Sequence, residues 1–547
     1  MTNDLNELMI TFDRAKEAAR PMINTSTGWI AGIVDATRNQ ERFLGIPYAE
    51  APIGEHRFKA PVLRHPWTGV FDASRFGAAA PQVFDPCEGS YEEFTGLTSE
   101  APGSAWVGSE DCLTLNVWRR VNGAEGKPVL VWIHGGANWL ESSRLDIYHG
   151  DQFVGREDVI FVSMNYRLGI FGFLDITEIA GSDYKGGHSN GLRDQRLALR
   201  WIKDNVAAFG GDPENITVMG ESAGSIDISW HLSGGYLDGI AKRVILMSGI
   251  ASLPGLSGTF EEEFTEAHAR RRCSEFLERM GINSAKDLLN SSTDQLMTKV
   301  VDVAWSSETL FDMDSLFWPR AEEACSNKHP YAAIRESKRN GIDVMLGCTG
   351  YEMGLWLNWD KELDRRGLQW AAEKLRHLTD DQRRVCISSY RKWFPKEDDG
   401  RIGMRLLGDS IFLMPTLWFA EELTRRGENV WLYQFDKISD ERRGALHAAD
   451  QAYLFDKRAT FAGRQLVPEP MGETEISQQS ALTSAMQDAV LAFARTGSPN
   501  QSKNSSLPFW PNYDLETRRQ MSFDTVCSIV SDPAEKRREW WTSAVYR

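Results

Sequence analysis

Residues 216–224 read ITVMGESAG: a short β-branched apolar run, then Gly220-Glu221-Ser222-Ala223-Gly224, with a helix-like stretch from Ser222 onward. A G-x-S-x-G that closes a strand and opens a helix is the setting of a tight, strained turn that pushes a serine hydroxyl out at a sheet's edge. The helix N-terminus then lies beneath the serine and favours negative charge developing there. The five residues alone recur by chance; the strand before and the helix after give them meaning.

On either side, strand-like and helix-like runs alternate. VLVWIHGG (129–136) and VIFVSMNYRLG (159–169) precede the helical DQRLALRWIKDNVAAFG (194–210), and RVILMSG (243–249) follows the serine. Such alternation predicts an α/β fold, a mostly parallel sheet with helices on both faces. Residues from about 255 to 335 and from 360 to 425 are helical and charge-rich, but strands resume at IDVMLG (342–347) and NVWLYQF (429–435), so both stretches read as insertions over one catalytic domain spanning 23–547. In SAMQDAVLAFARTG (484–497), Met486, Val490, Phe493 and Ala494 share one face, predicting a late helix with a buried side. Leu5, Leu8, Phe12, Ala15 and Ala19 do the same for an amphipathic extension over 1–22.

The chemistry follows from what a serine nucleophile needs. His134-Gly135-Gly136-Ala137 ends a strand ahead of the serine; small residues there leave backbone N–H groups uncovered, so Gly136 and Ala137, with Ala223, are the candidate oxyanion donors. The hydroxyl also needs a base, and the base an orienting carboxylate, in the chain order serine, acid, histidine. Of ten histidines, His268, His329, His377 and His447 lie well beyond Ser222. His268 and His377 sit in charged helical stretches, and His329 precedes any credible acid, which leaves His447 in the loop GALHAAD. For the acid, Glu352 follows the strand IDVMLG between Gly350 and Gly354, whereas Asp343 begins that strand at the wrong end of the sheet. Trp139, Trp356 and Trp359 flank these loops and are candidates for an apolar pocket; Trp230 reads better as core.

Other classes are disfavoured by composition. With 61 basic and 77 acidic residues the formal charge is −16, the wrong sign for a nucleic-acid partner; 42% hydrophobic and 25% charged residues describe an ordinary globular protein. No run reaches the length of a membrane span, and the first 22 residues lack the basic start and apolar core of a secretory signal, so the expectation is a cytoplasmic protein, monomeric or homodimeric. Seven cysteines show no metal spacing, and none of the chemistry above requires a metal or organic cofactor. At most a local bridge fits, Cys87 and Cys112 flanking one long loop.

The chain resembles the type B carboxylesterases, the carboxylesterase/cholinesterase branch of the α/β-hydrolases. The likeness runs from about 28 to 523 and rests on FLGIPYAEAPIGEHRF (43–58), SEDCLTLNV (109–117), WIHGGA (132–137), NYRLGIFGF (165–173) and GLRDQRLALRWIKDNVAAFGGDPENITVMGESAG (191–224). It implies a Ser222/Glu352/His447 triad, an oxyanion hole at Gly136, Ala137 and Ala223, and a Cys87–Cys112 disulfide; the preference for glutamate over aspartate as the acid comes from the family. The implied activity is hydrolysis of a small-molecule ester, with aromatic or medium-chain esters the expected substrates. Amide, carbamate and lactone hydrolysis use the same machinery, and a non-catalytic binding protein would be expected to lack the serine. Three departures stand out: Asp450 where the family has glutamate, Cys273 without an evident disulfide partner, and Ser225-Ile226-Asp227 in place of small neutral residues.

Overall fold

Apolar runs with no polar face must be buried on both sides, and in a sheet that requires helices above and below. The computed structural model describes residues 20–85, 89–95, 105–251, 266–306, 317–320, 328–338, 341–375, 378–500 and 506–545. One 11-stranded sheet dominates them. In chain order its strands are β1 (Ile33–Asp35), β2 (Gln40–Pro47), β3 (Thr114–Arg120), β4 (Lys127–Ile133), β5 (Ile160–Met164), β6 (Gly211–Glu221), β7 (Arg243–Met247), β8 (Asp343–Thr349), β9 (Val430–Phe435), β10 (Arg519–Phe523) and β11 (Ser528–Ser531). Across the sheet they lie β11-β10-β9-β8-β7-β6-β4-β5-β3-β2-β1. From β5 to β10 every pairing is parallel; β1, β2, β3 and β11 add antiparallel edges.

Alternation along β4 divides the core. Val129, Val131 and Ile133 join the apolar cluster on one face and Leu130 and Trp132 the cluster on the other, as the two-residue period of a strand dictates. Helices α1 (Asn190–Asn205) and α2 (Ala223–Ser233) follow β5 and β6, and every residue of α2 is buried. The stretch between β7 and β8 carries the helices Glu266–Arg279, Thr293–Ser306 and Pro330–Glu336. Between β8 and β9 come α3 (Leu363–Lys374) and α4 (Asp399–Gly408), and α5 (Glu473–Thr496) follows β9. No described helix is long and apolar enough to cross a membrane. Of the helical extension expected over 1–22, residues 1–19 lie outside the described residues; at its end Met22 already belongs to a strand, Met22–Thr25.

The chain passes from β4 to β5 on one side and returns to β6 on the other. That reversal opens a crevice at the carboxyl ends of the parallel strands, where ligands bind in such sheets. The loops after β4, β6, β8 and β9 all emerge there.

One expectation is overturned. Cys112 is a free thiol, fully buried, whose pKa is pushed well up by that burial and by the nearby Asp194 charge. It lies inside the core beside the Arg167–Asp194 ion pair and makes no disulfide; Cys87, the expected partner, is outside the described residues.

Candidate active site

Strain is concentrated on the serine. Ser222 has φ 52 and ψ −123 between β6 and α2, a conformation that an L-residue holds only when its surroundings impose it. Its N–H donates to Met247 O at 2.9 Å and its carbonyl accepts from Ile226 N at 2.9 Å. The flanking glycines serve close packing rather than unusual torsions. A Cβ on Gly224 would stand 2.2 Å from Ile133 O, and one on Gly220 2.8 Å from the same atom. Ala223 opens α2, so its N–H lacks a partner within the helix.

The glycine turn after β4 packs directly on this elbow: a Cβ on Gly135 would lie 3.2 Å from Ser222 Cβ. Gly136, Ala137 and Asn138 follow in the left-handed region, at φ 78, 54 and 59. His134 is buried under the turn, stacked on Tyr166 at 4.5 Å, and burial lowers its pKa to about 3, so the ring is neutral.

Glu352 and His447 meet across the ends of β8 and β9. His447 Nδ1 and Glu352 Oε2 are 2.6 Å apart, and the His447 backbone N–H donates to Glu352 O at 3.1 Å. The other carboxylate oxygen, Oε1, accepts from Ser248 Oγ at 2.8 Å and from Thr349 N at 2.6 Å. Both side chains are almost wholly buried. The imidazole packs against Phe412 and Trp356, at 4.7 and 5.6 Å between ring centres. With Nδ1 held by a carboxylate that two further bonds fix in place, Nε2 is the ring nitrogen left facing the cavity. Gly354 is required because a Cβ there would fall 1.9 Å from Arg443 O, not because the backbone needs a left-handed torsion.

Nε2 stands 3.1 Å from Glu221 Oε1, at the residue before the serine. Among the described residues Ser222 Oγ makes no hydrogen bond to His447, but both line one cavity. Gly136, Ala137, Trp139, Trp356 and Trp359 line it too, and its volume out to the mouth is about 900 Å³. Trp139 is braced edge-on by Phe317 at 4.1 Å, and Trp359 Nε1 donates to Asp85 Oδ2 at 2.7 Å. Trp230 is in the core, as its place on α2 suggested. The rejected alternatives are elsewhere: Asp343 starts β8 and bonds Asn429, and His329 stacks on Tyr331. Sequence reasoning missed Ser248, Thr349, Phe412 and Glu221. Only Glu221 and Ser248 had a signal, the first inside G-x-S-x-G and the second at the end of RVILMSG.

The whole chain has relatives among known proteins. The sequence pattern of the Carboxylesterase family matches residues 19–541. The para-nitrobenzyl esterase of Bacillus subtilis (strain 168) is 30% identical over 95% of this chain and 98% of its own length. The acetylcholinesterase of Leptinotarsa decemlineata is 30% identical over 95% and 86%, and the phenmedipham hydrolase of Pseudarthrobacter oxydans 30% over 90% and 93%. Among solved structures, a Geobacillus stearothermophilus carboxylesterase superposes with a TM-score of 0.79 at 29% identity, covering 95% of this chain and 99% of that one. The chain therefore belongs to the carboxylesterase family, the type B carboxylesterase/cholinesterase group of the α/β-hydrolase fold, and is a carboxylic-ester hydrolase.

Proposed function

We propose that the protein cleaves esters with aromatic or medium-chain groups through an acyl-enzyme on Ser222. His447 takes the hydroxyl proton at Nε2 as Oγ attacks the carbonyl, exchanging its contact with Glu221 for one with Oγ. The imidazolium keeps its Nδ1–H on Glu352, 2.6 Å away, which holds the ring in place through the step. The carbonyl oxygen, now negative, is received by the N–H groups of Gly136, Ala137 and Ala223, which are held before the reaction begins. His447 returns its proton to the departing alcohol; it then activates water, which releases the acid and restores the serine.

The observation that carries this reading is the 2.6 Å His447–Glu352 pair opening onto the same cavity as the strained Ser222. The tryptophan walls support an apolar acyl or alcohol group. Turnover of p-nitrophenyl butyrate and octanoate by wild type and Ser222→Ala tests it. Activity on both esters in the wild type and a loss of roughly 10⁴-fold or more in the variant is the expected result. Equal rates would mean a different nucleophile. A p-nitroanilide of the same acyl chain, turned over faster than the ester, would move the assignment to amides.

A further inference from the structure

Asp227 is an aspartate sealed inside the all-buried helix α2, five residues past Ser222, and the mechanism above does not use it. Its hydrogen bonds lead in two directions. Oδ2 accepts from Gln195 Nε2 at 2.6 Å, and Oδ1 from Asn138 Nδ2 at 3.4 Å. On the first side, Gln195 Oε1 lies 2.8 Å from His231 Nε2, while His231 Nδ1 accepts from Arg196 Nε at 3.3 Å. Because Nδ1 accepts, the ring proton sits on Nε2 and donates to Gln195 Oε1, which fixes the amide with its NH₂ toward Asp227. Burial holds His231 neutral, and the chain of donors ends at the Arg196 guanidinium, 3.4 Å over the Tyr236 ring.

The other direction reaches the glycine turn. Asn138 is fully buried and ends the three-residue left-handed run that begins at Gly136. Its Nδ2 also donates to Phe317 O at 3.1 Å, its Oδ1 accepts from Tyr166 OH at 3.3 Å, and its backbone carbonyl accepts from Gly169 N at 2.7 Å. Ala137 and Asn138 have side chains, so their left-handed torsions persist only while neighbours enforce them. The turn thus stands on a buried polar side chain anchored to the helix that carries the serine.

We propose that Asp227 is a positioning residue for ester hydrolysis: through Asn138 it ties the Gly136–Asn138 turn to α2 and so fixes where the Gly136 and Ala137 amides stand relative to Ser222. This rests on the proposed oxyanion role of those amides. Asp227 acts through the turn and touches no substrate. Its carboxylate is what the site requires, because both neighbours present donors in fixed orientation. An asparagine there must turn its own NH₂ against either Gln195 Nε2 or Asn138 Nδ2.

The test compares wild type, Asp227→Asn, Asn138→Ala, the double variant and Ser222→Ala. The measurements are kcat and KM on p-nitrophenyl butyrate, inhibition by an alkyl trifluoromethyl ketone, which develops an oxyanion on adding to the serine, and thermal midpoints. Each single variant is expected to lower kcat about tenfold or more with KM within about twofold. Ketone affinity should weaken by the same factor as kcat/KM, and the double variant should be no worse than the weaker single. A lower melting temperature with kcat and ketone affinity unchanged makes Asp227 a core residue only and overturns the proposal; so do additive losses. Asn138→Ala keeps the question answerable if Asp227→Asn does not fold. Full activity in Ser222→Ala would sink the site reading and the proposal with it, whereas an inactive Ser222→Ala beside a wild-type-like Asp227→Asn sinks the positioning role alone.

Discussion

Three residues past His447, Asp450 is fully buried, with Oδ2 accepting from Tyr433 OH at 3.0 Å and Oδ1 without a hydrogen-bond partner among the described residues. Burial pushes its pKa from 3.8 up to about 7, and the neighbouring Glu352 charge adds to the rise. A carboxyl with a folded pKa above its unfolded value binds more protons in the native state, so the stability it contributes is full below about pH 4 and is lost as pH rises through about 7. Asp450→Asn removes this titration. The urea midpoint of the variant minus that of the wild type should therefore be more positive at pH 8 than at pH 5, and an unchanged difference would show that Asp450 ionises normally. At this scale the sequence discloses residues whose chemistry has a rule: a serine in a strand-turn-helix, an acid at a strand's end, a histidine after both. Ser248 was marked only as the end of a strand and Thr349 not at all, and that both hold Glu352 was not legible, because nothing in their local sequence says that β7 and β8 lie side by side.

Helix packing gives the next level its own test. Where α3 crosses α4 the backbones touch: a Cβ on Gly403 would fall 2.0 Å from Gly367 C, and one on Gly367 2.1 Å from Gly400 O. Both obstacles are main chain and cannot swing aside, so Gly403→Ala must push the helices apart. The expected loss is about 1–3 kcal/mol in urea unfolding, and a change below about 0.5 kcal/mol would mean that the crossing is looser than drawn. Since Gly408, at the end of α4, abuts Glu352, with 3.6 Å from its would-be Cβ to Glu352 Cβ, kcat should fall as well. Sequence marked both stretches as helical but not as partners, since close glycine contacts are a property of the pair. The parallel strands were legible for the opposite reason. β4 and β5 are buried on both faces and read as largely apolar runs, whereas RQMSF at β10 and SIVS at the edge strand β11 mix polar and apolar residues and leave little pattern.

Over the whole molecule the dominant fact is charge. Seventy-seven acidic residues against 61 basic leave −16, and the cavity is lined by the carboxylates of Glu141 and Glu221 with no lysine or arginine among its lining residues. Field lines from such a surface converge on a low-dielectric cleft and raise the local concentration of cations while depleting anions. Salt shortens the reach of that field from about 30 Å at about 10 mM to about 8 Å at about 150 mM, so its effect belongs to dilute buffer. Three p-nitrophenyl esters of matched length separate it from pocket fit: a neutral heptanoate, a trimethylammonio-hexanoate and a mono-adipate. Between the two salt concentrations kcat/KM for the cationic ester should fall several-fold, the anionic ester should gain by a similar factor, and the neutral one should hold within about twofold. A parallel change in all three would place the salt effect on the protein's conformation. A charged pair that differ in rate but not in salt response would locate discrimination at the Glu141 and Glu221 carboxylates, where contact distances are too short for ions to screen.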